Sequence, residues 1–233
     1  MIIGFGGWLL YGARMWTSLF LAPTRRFLFL EAFTLFILTP SLLWLQPTRL
    51  NVHGGLWLVT LYAIALLRKM PDFSWRAAWQ GILWTRRDLG FVLARFAVST
   101  AGIILLTLLI KPDRFLMFPT QRPVLWIVVM VLYPLLSALP QELVFRTFFF
   151  RRYAPLFRNK AWMMAVSAFV FGYIHIVFHN PVSPLLSFIC GFFLSASYAA
   201  HQSLKKAAIE HALYGDMVFT VGLGYYFLVN PVF

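Results

Sequence analysis

Glu142 and Arg146 lie one helical turn apart in Gln141-Glu142-Leu143-Val144-Phe145-Arg146, inside a stretch too apolar to hold either charge without a reason. Positions i and i+4 share a helix face, so the carboxylate and guanidinium can pair, which lowers the cost of burying both. Two further polar residues interrupt apolar runs. His175 ends Phe171-Gly172-Tyr173-Ile174-His175, and His211 follows Glu210. A carboxylate base, imidazoles that hold a water or bind an oxyanion, and a cation that orients the base are the components of water-activated hydrolysis. The plainer readings are a helix-stapling ion pair for Glu142 and Arg146 and a satisfied core histidine for His175.

Other polar residues carry less chemistry. His179 stands one turn beyond His175 beside Asn180-Pro181, where it is expected to cap a helix end. No Glu lies between the two histidines as in a His-Glu-x-x-His site, so no metal is expected there. His53 and His201 are expected to be exposed. Glu31 has no basic residue nearer than Arg26 and reads as a packing contact or a lone protonated acid. Glu210 and His211 point about 100° apart on a helix, so they cannot both face one point squarely. Phe148-Phe149-Phe150-Arg151-Arg152 reads as a lipid-facing end with snorkelling cations. The single cysteine, Cys190, excludes an internal disulfide and a thiolate metal cluster.

The elements that must position these residues are membrane helices. Of the 233 residues, 61% are hydrophobic and 12% charged, and the mean hydropathy is +0.78. Soluble domains have about 45–50% apolar and about 25% charged residues. The fold class expected is all-α, a polytopic transmembrane bundle. Apolar runs mark seven spans at 27–45, 54–67, 90–110, 123–150, 161–178, 182–200 and 208–229, with residues 1–22 an interfacial helix or an eighth span. Residues 1–110 would form the N-terminal transmembrane and interfacial part and 123–230 the core that carries the site. Pro134 and Pro140 are expected to break or kink the long fourth run just before Glu142. Residues 72–88, rich in Trp and Arg, read as an amphipathic interfacial segment.

An excess of 20 basic over 7 acidic residues suggests nucleic acid at first, but the basic residues sit between apolar runs and form no stripe. The positive-inside rule accounts for them instead. With the clusters at 25–26, 68–87, 151–160 and 205–206 on the cytoplasmic side, the spans alternate correctly. The loop at 111–122, with Lys111, Arg114 and Arg122, is the one that fits poorly.

From Glu142 onward the residues resemble the CPBP intramembrane proteases, the group named for CAAX prenyl proteases and bacteriocin-processing enzymes, also called ABI proteins. That family carries Glu-Glu-x-x-x-Arg, Phe-x-x-x-His and His-x-x-x-Asn on three helices. Gln141-Glu142 to Arg146 is similar to the first, Phe171 to His175 matches the second, and His211 begins the third. The resemblance covers roughly residues 123–230. It departs twice: Gln141 replaces the first Glu, and Gly215 stands where Asn is expected, with Asp216 one place later. An amide cannot act as a base. The resemblance is to a Gln-Glu subgroup of that family, which implies Glu142 as the base, with Glu210 as an outside candidate.

The resemblance implies an endopeptidase that hydrolyses a peptide bond of a membrane-associated protein or peptide. In it His175 would position the water with Glu142, His211 would help bind the oxyanion, and Arg146 would orient Glu142. No cofactor is favoured; a zinc ion, if present, would take Glu142, His175 and His211. The expected surroundings are the lipid bilayer, as an integral protein of a bacterial inner membrane, with the site open to the cytoplasm and no nucleic-acid partner. The alternative is a catalytically inactive scaffold or immunity-type protein of the same fold. A proton-coupled transporter using Glu31 and Glu142 lacks the paired interrupted helices it would need. One tension remains among the depths: at about 1.5 Å per residue, Glu142, His175 and His211 lie roughly 12, 21 and 5 Å from the cytoplasmic ends of their expected spans.

Overall fold

Where water is absent, each segment must satisfy its own backbone amides. All regular structure among the described residues is accordingly helical. The computed structural model describes residues 23–45, 52–79 and 84–228; the expected element at 1–22 lies outside them. The principal helices are α1 (Arg25–Leu45), α2 (Val52–Leu67), the short α3 (Trp75–Trp79), α4 (Arg86–Ile110), the short α5 (Met117–Gln121), α6 (Pro123–Arg152), α7 (Lys160–Phe178), α8 (Val182–His201) and α9 (Leu204–Val221). Five of them, α1, α4, α6, α7 and α8, are long and apolar enough to cross a membrane. Helix α2 is apolar but has only 16 residues, and α9 carries Lys205, Lys206, Glu210 and Asp216.

Contacts between loops sort the helix ends into two groups. At one end Arg25 Nη2 donates to Leu156 O at 3.5 Å, and Arg151 Nη1 donates to Asp72 O at 3.0 Å. There too His201 lies 3.8 Å from Asp88, and Lys206 sits over the Trp84 ring. The basic clusters of the sequence therefore share one end, as the positive-inside pattern requires. At the other, Leu116 N donates to Val221 O at 3.2 Å, Asn180 Nδ2 to Tyr226 O at 2.8 Å, and Trp44 stacks on His179. His179, with φ 55°, ends the last turn of α7 by donating its N–H to Ile176 O. It is the terminator expected of it.

Helix α6 does not break at Pro140. It runs unbroken through two wide π-helical turns, Pro134–Ala138 and Leu143–Phe148, the second enclosing Arg146. Such turns absorb the hydrogen bond a proline cannot make and rotate the helix that follows. The segment 72–88 is also less regular than one amphipathic helix, since α3 covers only Trp75–Trp79 within it.

The run Phe148 to Arg152 corrects a further expectation. Phe148, Phe149, Phe150 and Arg152 are buried, and only Arg151 is exposed. Arg152 reaches no lipid headgroup: its Nε donates to Glu31 Oε2 at 2.9 Å and its Nη2 to Glu31 Oε1 at 3.0 Å. The Tyr62 hydroxyl donates to Glu31 as well. A bidentate partner on α1 makes burial tolerable where a lone cation would have to snorkel. Glu31 is thus the packing contact and not the lone protonated acid. His53 is exposed as expected, whereas His201 is only partly so, against Asp88.

Helices α7 and α8 approach so closely that a Cβ at Gly172 would lie 2.8 Å from Phe188 Cβ and 2.9 Å from Pro184 O. We expect Gly172→Ala to push these helices apart and cost about 1–3 kcal/mol in micelle unfolding. Glu31→Leu strands Arg152 and should cost about 3–5 kcal/mol, most of which the double variant Glu31→Leu/Arg152→Met recovers.

Candidate functional site

The first half of α6 faces outward, with Val124, Ile127, Val131 and Leu135 exposed. From Pro140 to Phe150 every residue is buried. Glu142 and Arg146 thereby enter the centre of the bundle, both with 0% exposure. Glu142 Oε2 faces Arg146 Nε at 3.3 Å, the i, i+4 pair that the sequence suggested.

Three helices complete the cluster. From α7, Ser167 Oγ accepts from Arg146 Nη1 at 3.3 Å and donates to Phe145 O at 2.9 Å, and the Phe171 ring lies under the guanidinium, 4.8 Å from centroid to Cζ. From α8, Gly191 O accepts from Arg146 Nη2 at 3.3 Å, and Ser195 Oγ donates to Ser167 Oγ at 3.2 Å. A Cβ at Gly191 would meet Phe171 Cδ1 at 3.0 Å and Ala168 Cα at 3.2 Å. The absent side chain is what brings this carbonyl within reach of the arginine. From α9, His211 Nδ1 lies 2.9 Å from Glu142 Oε1.

The depth disagreement between Glu142 and His211 disappears because α9 starts at Leu204, four residues before the expected boundary, capped by Ser203 accepting from Lys206 N. Its first turn is inside the protein, with Leu204 and Lys206 buried. His211 is then about 10 Å and Glu142 about 15 Å from the basic ends of their helices. His175 remains about one turn deeper. Its Nδ1 lies 2.7 Å from Phe171 O, and it makes no hydrogen bond to Glu142 or His211. What links the two histidines is the Phe171 ring, 5.1 Å from one imidazole and 5.4 Å from the other, centroid to centroid.

A carbonyl oxygen only accepts, so His175 Nδ1 carries the proton and Nε2 keeps a lone pair. The Glu142 carboxylate likewise only accepts, so His211 Nδ1 carries a proton there. His211 Nε2 is 3.0 Å from the Tyr133 hydroxyl. Both nitrogens of His211 thus have protein partners. Among the described residues no group of three His, Cys, Asp or Glu side chains is placed to hold a metal ion.

Glu210 turns away from this cluster, as its 100° offset from His211 predicts. Its Oε1 is 2.8 Å from Arg95 Nη2 on α4 and accepts from the Tyr214 hydroxyl at 2.8 Å. It is a tether and not a base beside Glu142. Gln141 Nε2 donates to Ser137 Oγ at 2.7 Å, while its buried Oε1 has no hydrogen-bond partner. Sequence reasoning missed Ser167, Gly191, Arg95 and Tyr133. Only Arg95, a charge within an apolar run, carried a local signal.

Helices long and apolar enough to cross a membrane, gathered around a buried Glu-Arg-His cluster, are those of an integral membrane protein. A family model described as type II CAAX prenyl endopeptidase Rce1-like matches residues 123–215, the segment that holds Glu142, Arg146, His175 and His211. The likeness to that family is confined to this segment of the chain. No curated protein and no solved structure matches the chain.

Because Arg146 ties α6 to α7 and α8, Arg146→Met should leave Glu142 buried without its counter-charge and destabilise the bundle by about 3–5 kcal/mol. Thermal unfolding in micelles checks this.

Proposed function

We propose that the chain is an endopeptidase that cleaves a membrane-associated protein or peptide, at a site opening toward the cytoplasm, with a water activated by Glu142. The observation that carries this reading is the convergence of Glu142 with His211 at 2.9 Å and Arg146 at 3.3 Å from separate turns and helices. Arg146 orients the carboxylate from one side, and the Nδ1–H of His211 fixes its second oxygen. His175 offers the Nε2 lone pair as acceptor for the other proton of the water. The water oxygen attacks the scissile carbonyl carbon while Glu142 takes a proton. That proton then passes to the leaving amide nitrogen as the C–N bond breaks.

In the closed arrangement Glu142 is fully buried, so substrate and water must part the helices around it. The basic clusters at the nearer end support a cytoplasmic opening, in a bacterial inner membrane. A prenylated protein is one substrate class consistent with the family.

The test is the full chain in proteoliposomes with a panel of membrane-anchored reporter peptides, prenylated and not, read by mass spectrometry. Glu142→Gln should lower cleavage per folded molecule by about 10²–10⁴-fold, with some loss of stability because Arg146 is left without its counter-charge. A second reading, an inactive scaffold of the same fold, is favoured by Gln141 in place of the first Glu. It takes over if the wild-type chain cleaves none of the panel or if Glu142→Gln cleaves as well as wild type.

A further inference from the structure

His211 is held from both sides, and the second side is supplied by a residue that neither motif nor composition singled out. The Tyr133 hydroxyl lies 3.0 Å from His211 Nε2, and the two rings meet edge to face at 6.0 Å between centroids. Tyr133 occupies this place because α9 has no side chain at 215. A Cβ built on Gly215 would lie 2.2 Å from both Tyr133 Cε1 and Oη. Even alanine is excluded while the phenol is there, and an asparagine more so. Asp216, one place on, does not substitute: one of its carboxylate oxygens is buried without a hydrogen-bond partner, and both nitrogens of His211 are already taken.

We propose that Tyr133 is a positioning residue of the Glu142 site, its O–H donating to His211 Nε2 so that the imidazole keeps its proton on Nδ1, aimed at Glu142. For a neutral imidazole the two contacts fix both directions. Glu142 beside Arg146 can only accept, which puts the proton on Nδ1; the Nε2 of a neutral imidazole can only accept, which makes the tyrosine the donor. Without that donor the imidazole is free to adopt the other tautomer or to turn away, and Glu142 loses the hydrogen bond that aims it. Gly215 is the space that this arrangement needs. Tyr133 and a side chain at 215 are therefore alternatives, and the departure from the His-x-x-x-Asn pattern is a rearrangement of the site. In so far as it concerns catalysis, this role rests on the protease reading above.

The test has one readout that needs no substrate. Full chain labelled with 15N-histidine is studied in micelles, and a His211→Gln sample identifies the His211 resonances. In the wild type we expect a protonated Nδ1 and an unprotonated, hydrogen-bonded Nε2. Tyr133→Phe, which keeps the ring and removes only the hydroxyl, should shift Nε2 toward a free nitrogen or redistribute the tautomers, and Gly215→Ala should do the same by displacing the ring. With a substrate from the panel, Tyr133→Phe should lower kcat about tenfold and leave KM within about twofold, as loss of one hydrogen bond behind the reacting groups would. Unchanged His211 resonances in Tyr133→Phe overturn the proposal, as does an unchanged kcat. If the wild-type chain cleaves nothing, the protease reading has failed, and the nitrogen spectrum alone still decides what Tyr133 does to His211.

Discussion

A carboxylate and a guanidinium removed from water persist only where each has its counter-charge and the remaining donors are met. Glu142 and Arg146 satisfy that requirement only by recruiting α7, α8 and α9, through Ser167, Gly191 O and His211. The same rule repeats at both other glutamates of the chain: Glu31 is paired with Arg152 and Glu210 with Arg95. Every glutamate is therefore an interhelical or intrahelical ion pair inside the bundle. In lipid, where burying apolar surface gives little drive for helix association, such polar contacts and close glycine packing fix which helices meet. The site is one of three such ties, distinguished by its histidine and by the wide helical turn that carries Arg146.

Much of this was legible in the sequence because a charge in an apolar run cannot be accidental. Glu142 and Arg146 sit four apart, so their pairing follows from helix geometry alone. The crossing of residues 123–152 as one element and the gathering of basic loops at one end follow from length and charge. What could not be read was partner choice across helices. Phe148 to Arg152 looks like a lipid-facing end because nothing local reveals Glu31 on another helix. The start of α9 was misplaced because Lys206 looks like a loop residue until it is seen buried against Trp84. Tyr133 carries no signal whatever, since its role depends on an absent side chain at 215, far away in sequence.

The two departures from the family pattern bear on whether the site is kept or decaying. A disused polar cluster in a dry interior should drift toward apolar packing, because a buried acceptor without a donor costs about 1–3 kcal/mol. Yet Gln141 Oε1 is buried without a partner immediately beside Glu142, whose Oε2 also accepts no hydrogen bond. Arg146, by contrast, spends donors on Ser167 and Gly191. Each of these unfilled acceptors is open to a donor from outside, be it a water or a peptide N–H. The amide at 141 cannot take a proton as a carboxylate would, but its unpartnered oxygen can still accept a hydrogen bond.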